Sequence, residues 1–122
     1  MDGVRYLDTY ALYEVMEGNP KFLHYLNQNF TISDLTLTEF YALLLRRFNQ
    51  NTADYWANQF RIYSESTPFS ILVKAVIFRK QTGKNISFFD AVGYMHAKEN
   101  NYLFVTGDKE FETMQNVEFI QK

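Results

Sequence analysis

Four acidic residues, Asp8, Glu39, Asp90 and Asp108, each stand where a short apolar run gives way to a run with helical spacing. Carboxylates are hard oxygen donors, and several of them drawn together suit a hard divalent cation. Such an ion lowers the pKa of bound water and offsets charge on a phosphate, the chemistry of metal-assisted phosphodiester hydrolysis. That chemistry needs no histidine. His24 and His96 both fall within helical patterns, where a core or surface role suffices. Cysteine is absent, which excludes disulfides and thiolate metal sites, so any metal must be held by oxygen or histidine.

Taken singly, each acid also fits a structural role. Ser87-Phe88-Phe89-Asp90 and Thr36-Leu37-Thr38-Glu39 match the capping box, in which the fourth residue bonds back to the cap's amide. Asp8 and Asp108 are suited to cap the helices they precede. Taken together, the acids ask for more, because Ser, Thr or Asn caps a helix as well as a carboxylate does. If the apolar runs are parallel strands, all four acids reach the carboxyl edge of one sheet, where ligands bind in such folds. Like charges there repel and raise one another's pKa, and a cation relieves the conflict. Thr9 and Thr106 are placed to orient a carboxylate or water, or simply to end a strand. Glu110 either reaches a second metal or serves as a first-turn acid favouring a helix dipole.

The elements that must position these residues follow from the spacing of apolar residues and from the breakers between them. Strands are expected at Val4–Leu7, Phe30–Leu35, Tyr102–Thr106 and Val117–Ile120. Helices are expected over Thr9–Glu17, Lys21–Gln28, from Thr36 through Phe48, over Asn51–Ser64 with Asn51 or Thr52 as cap, over Ile71–Gln81, from Ser87 to about Asn100, and briefly after Asp108. Gly18-Asn19-Pro20, Thr67-Pro68 and Gly83 punctuate the chain. ILVKAVIF within the fifth helix also has the look of a buried strand. The alternation predicts an α/β fold, three-layer α/β/α around a mostly parallel sheet. No repeat, linker or low-complexity tract interrupts it, so residues 1–122 are read as a single domain.

Composition narrows the class. Hydrophobic residues make up 47% of the 122 and aromatics 18%, ample for one core. The 12 Phe and 9 Tyr exceed what one small core readily holds, leaving some to stack on bases or to form a dimer face. No stretch approaches a membrane span and MDGVRYLD is no signal peptide, so a soluble, cytoplasmic protein is expected. The net charge of −2 argues at first against a nucleic-acid partner. Setting the four acids aside as metal ligands turns it to +2. Arg46, Arg47, Arg61, Lys74, Arg79, Lys80 and Lys84 are then candidates for phosphate contact, or else solvated helix faces.

LDTYALYEV, LTLTEFYALLLRRF and SFFDAVGYMHAKENNYLFVTGDKEF resemble the PIN domain, a family of small metal-dependent nucleases, over essentially the full chain. The likeness is greatest to the VapC toxins of VapBC toxin–antitoxin pairs. Its most specific motif is an acid opening a helix, then an apolar strand closing in T-x-D and followed by phenylalanine, here Asp90, Thr106, Asp108 and Phe111. Asp8 and Glu39 match by type and order. The resemblance implies a three-layer α/β/α fold and a Mg²⁺- or Mn²⁺-dependent ribonuclease acting on an RNA substrate. It implies Asp8, Glu39, Asp90 and Asp108 as metal-binding and catalytic residues. It also implies a homodimer and an antitoxin that inserts a peptide segment near the acids. Tyr10 departs from the pattern, since a smaller residue is usual there.

Three functions fit this reading. The first is a toxin endoribonuclease. The second is a nuclease of the same fold working in RNA maturation or decay, for which the compact chain is less typical. The third is a PIN-like module that binds RNA or protein without cutting, for which a repulsive acid cluster serves no purpose.

Overall fold

The computed structural model describes residues 3–122, so the first two residues of the MDGVRYLD segment lie outside it. Strand β1 (Arg5–Leu7) runs through the centre of a five-stranded sheet. On one side it pairs with β2 (Phe30–Ser33), which carries the edge strand β3 (Ser64–Glu65). On the other it pairs with β4 (Leu103–Thr106), which carries β5 (Val117–Phe119). Every pairing is parallel, so each connection must cross back over a face of the sheet. Leu7 lies opposite Val105 and Tyr6 opposite Thr31, which brings the central strands to an end at one level.

The crossovers are α1 (Thr9–Met16), α2 (Asp34–Arg47), α3 (Gln50–Phe60), α4 (Phe69–Thr82) and α5 (Phe88–Glu99). Side chains alternate across a strand, and this divides the core in two. Leu7, Ile32 and Val105 face Leu12 of α1, Phe40 and Leu44 of α2, and Phe60 of α3. Tyr6 and Phe104 face the other way, onto Ala75 of α4 and Ala91, Val92 and Tyr94 of α5. The result is the expected three-layer α/β/α sandwich with a parallel sheet. The buried Tyr6 hydroxyl meets Ser33 and Thr36 at 2.5 and 2.8 Å, so it brings no unsatisfied polar group into the core.

Several boundaries differ from expectation, each for a local reason. Helix α2 starts at Asp34 rather than Thr36, because Ser33 is its cap and accepts from the Thr36 amide. The Thr36–Glu39 capping box therefore does not form. Asn49, not Asn51 or Thr52, caps α3 through the Thr52 amide at 2.8 Å. The stretch 21–28 holds only 3₁₀ turns over Leu23–Asn27. The tail of the helix expected over Asn51–Ser64 is instead a 3₁₀ turn, Arg61–Tyr63, leading into β3. ILVKAVIF is helical, and Gly83 ends α4 at φ 65°, a left-handed value that glycine takes without strain.

Ten of the 21 Phe and Tyr residues are buried, among them Phe22, Tyr25, Phe30, Phe40, Phe104 and Phe111, while Phe48, Tyr55 and Phe69 are exposed. Among the described residues, no helix is long and apolar enough to cross a membrane.

Candidate active site

The level strand ends bring four chain segments to one edge of the sheet, and the acids leave from there. Asp8 follows β1 directly and caps α1, its Oδ1 accepting from the Ala11 amide at 2.8 Å. Asp108 stands two residues beyond β4 and caps the 3₁₀ turn Lys109–Phe111, accepting from the Glu110 amide at 2.9 Å. Asp90 lies in the first turn of α5, whose cap Ser87 accepts from the Asp90 amide at 3.1 Å. Glu39 lies in the second turn of α2 and accepts a hydrogen bond from the Thr9 hydroxyl. Capping and clustering are thus not alternatives for Asp8 and Asp108, which do both, whereas at α5 Ser87 is the cap and Asp90 is free to face the cluster.

All four carboxylates line a single pocket of about 700 Å³. Burial pushes the Asp8 carboxyl up to about 8, and the charges of Asp90 and Glu39 push the same way against hydrogen bonds from Thr106 and the Ala11 amide. Asp90 is raised to about 6, chiefly by burial and then by the charges of Glu39 and Asp108. Asp8 and Asp90 are therefore each raised by two others of the four. Burial and crowding without a counter-charge favour the protonated forms of Asp8 and Asp90, which marks the cluster as unfavourable architecture and a sensible cation site.

Thr106 is fully buried behind the acids. Its hydroxyl bonds the Asp8 carboxyl and accepts from the Asp108 amide at 3.1 Å, tying two of the four together. Thr9 holds Glu39 as described. Glu110 is not among the pocket residues; its carboxylate accepts from the Asn85 amide at 3.3 Å, directed at the loop before α5. His96 is buried away from the acids, with Nε2 2.9 Å from Glu65, and His24 lies against the Tyr25 ring.

The donor set fits a hard cation, being wholly oxygen. No group of three His, Cys, Asp or Glu side chains among the described residues is arranged to enclose an ion as it stands. A Mg²⁺-type site does not require one, because that ion keeps several waters and takes only one or two carboxylates directly.

The pocket extends beyond the acids into a groove between α1 and α2. Tyr10, Tyr13 and Glu14 line one wall, and Thr38, Ala42, Leu43, Arg46 and Arg47 the other. Of the basic residues singled out by charge, Arg46 and Arg47 reach the pocket. Lys74 instead pairs with Glu99, Arg79 donates to the Ile86 carbonyl and Lys84 to the Glu110 carbonyl. Tyr13 and Glu14 were legible only as α1 positions one to two turns past Asp8. Lys122 had no local signal at all, since a long-range contact brings it in: its amide donates to the Tyr10 hydroxyl at 2.7 Å. Tyr10 packs so closely on Gly107 that a β-carbon there would lie 2.5 Å from its ring.

Comparison with known proteins agrees with this architecture. The family model described as PIN domain matches residues 5–117. No curated protein matches at a significant level of sequence similarity. Among solved structures, the chain is similar to Mycobacterium tuberculosis VapC20, described as a sarcin–ricin loop cleaving toxin (TM-score 0.78, 15% identity, 95% of this chain and 96% of that one). It is similar to DNA-bound VapBC from Salmonella typhimurium (TM-score 0.75, 16% identity, 98% of each chain). A toxin–antitoxin complex from Klebsiella pneumoniae is also similar (TM-score 0.73, 17% identity, 93% and 95%). At these identities the likeness is one of fold. The family match spans nearly the whole chain, with all four acids inside it, and the chain belongs to the PIN domain family.

Proposed function

We propose that this protein is a divalent-metal-dependent endoribonuclease, the toxin of a toxin–antitoxin pair, with residues 1–122 forming a single catalytic domain. The observation that carries the reading is the convergence of Asp8, Glu39, Asp90 and Asp108 on one pocket, with Asp8 and Asp90 raised by burial and mutual charge. Membership of the PIN family supports it. So do structural relatives that are themselves described as toxins or toxin–antitoxin complexes.

In this reading Asp8, Asp90, Asp108 and Glu39 hold Mg²⁺ or Mn²⁺. Bound there, the ion supplies a water of lowered pKa and neutralises charge developing on the phosphate. The chain's own part is positional. Thr106 fixes Asp8 and the start of the Asp108 turn, while Thr9 fixes Glu39. Capping by Asp8 and Asp108 holds both carboxylates on rigid backbone, and the amino ends of α1 and α5 favour the ionised forms of Asp8 and Asp90. Glu110 takes no part.

The partners follow from the same reading. An antitoxin protein is the first, covering the acid pocket with an inserted segment as the family resemblance implies; relatives described as a toxin–antitoxin complex and as DNA-bound VapBC support such a partner. A second copy of the chain covers α4, whose outward face carries Phe69, Val73, Val76 and Ile77 in the open. An RNA substrate and an antitoxin imply action in the cytoplasm.

The test is cleavage of structured RNAs by purified protein with Mn²⁺ or Mg²⁺ and with chelator. Cleavage is expected only with metal, and Asp8→Asn or Asp90→Asn is expected to reduce it by at least about 100-fold. Hydrolysis that persists in chelator, or in both variants, would remove the mechanism.

A further inference from the structure

We propose that Arg46 and Arg47 form a phosphate-binding subsite for single-stranded RNA, gripping the strand at a nucleotide removed from the bond that is cut. This rests on the ribonuclease reading and deepens it by assigning the path of the substrate. The groove between α1 and α2 is polarised, with the acids at one end and the two arginines at the other. Glu39 and Arg46 sit on the same helix seven residues apart, a rise of roughly 10 Å. That spans roughly three stacked nucleotides at about 3.4 Å each. A strand with its scissile phosphate at the carboxylates therefore brings a later or earlier phosphate to the arginines.

Two features separate this from the ordinary placement of basic residues at a helix C-terminus, where they favour the dipole. First, neither guanidinium forms an ion pair among the described residues, although Glu14 and Glu39 line the same groove. Their positive charge is left for a ligand. Second, Arg47 is turned inward across the groove, its guanidinium 5.0 Å from the centroid of the Tyr13 ring on α1. Tyr13 is itself buried and held by a bond from its hydroxyl to Glu17 at 3.1 Å. The fork of Arg47 is thus pre-oriented on a fixed ring, which reduces the entropy lost on gripping a phosphate. Between the two ends the walls are Ala42, Leu43 and the tyrosine, a surface that tolerates any base.

The test compares wild type with Arg46→Ala, Arg47→Ala and the two Arg→Lys variants. Binding of a fluorescent single-stranded hexaribonucleotide is followed by anisotropy with Ca²⁺ in place of Mn²⁺, and cleavage of the hexanucleotide and of a dinucleotide is followed with Mn²⁺. Each Ala variant is expected to weaken hexanucleotide binding and raise KM about tenfold, with kcat within about twofold, and to flatten the salt dependence of binding by about one phosphate contact. Dinucleotide cleavage, which lacks the distal phosphate, is expected to be unchanged; Arg46→Lys is expected to restore most of the affinity and Arg47→Lys only part of it, since an ammonium lacks the planar fork held on the Tyr13 ring. Equal losses on both substrates, or hexanucleotide affinity indifferent to both Ala variants, would overturn the subsite. Loss of binding to a polyglutamate peptide with RNA affinity intact would also overturn it, assigning the arginines to a protein partner. Arginine-dependent binding without any cleavage would leave the subsite standing and remove the nuclease reading; binding and cleavage both absent would end both.

Discussion

Asp8 shows how much of this site is decided by single side chains. Without a bound cation, burial and neighbouring charge push its carboxyl up to about 8 and that of Asp90 to about 6, both above the ordinary value of 3.8. Between those limits the native state holds more protons than the unfolded chain, so stability falls as pH rises. The contribution is complete below about pH 4, declines through 6 and is gone above 8. Thermal unfolding in chelator should therefore give a higher Tm at pH 5 than at pH 8. Asp8→Asn should flatten that slope, because Asn caps α1 equally well and removes the buried charge. Added Mn²⁺ should raise Tm more at pH 8 than at pH 5, since the ion competes with protons for the same oxygens. A Tm indifferent to pH in chelator would mean that the acids do not burden one another. At this scale the sequence was informative: the four acids were legible from their position after apolar runs. Lys122 was not, because nothing local announces a contact with a residue more than a hundred positions away.

At the scale of elements, the position of Asp90 depends on how closely α5 lies on the sheet. Gly93, one turn after Asp90, sits where an added β-carbon would be 3.0 Å from both the Phe104 and Tyr6 rings. Those rings are fully buried and held by neighbours, so they have little room to give. Gly93→Ala should cost about 1–3 kcal/mol in urea unfolding. It should also lower Mn²⁺-dependent cleavage by more than that loss explains at temperatures where the variant is folded, as Asp90 moves off the cluster. Wild-type activity and stability in this variant would show that α5 can be displaced freely. The helices with clear caps and stops, α1, α4 and α5, were readable because Gly18, Gly83 and Ser87 set their ends. β3 was not, since a two-residue strand has no periodicity and here continues a helical pattern through a 3₁₀ turn. Residues 21–28 carried helical spacing but only 3₁₀ turns formed, since a short segment gains helix mainly through packing and only Tyr25 is buried within the turns.

The whole molecule leaves one large surface unexplained by its own core. Helix α4 packs on α5 and turns Phe69, 78% exposed, and Val76, 57% exposed, outward beside Val73 and Ile77. Its sequence was ambiguous between strand and helix for the same reason: with apolar residues on both faces, neither period dominates. If a second copy covers this face, light scattering after size exclusion should give twice the 14.5 kDa chain mass, and Val76→Lys with Ile77→Lys should give a monomer that keeps its Tm within a few degrees. A monomeric wild type across micromolar concentrations would leave the face to another partner.

The path of the chain through the parallel sheet has a practical consequence for anyone handling the protein. Gly3 precedes β1 at the end of the sheet remote from the acids, whereas residues 120–122 return across the top, with Ile120 bonded to Thr106 and Lys122 to Tyr10. Any purification handle or fusion appended after residue 122 would emerge at the mouth of the pocket, and one placed before residue 3 would leave from the far side. The two placements should differ in turnover on the same oligonucleotide, the C-terminal one slower by a margin that protease removal of the handle restores.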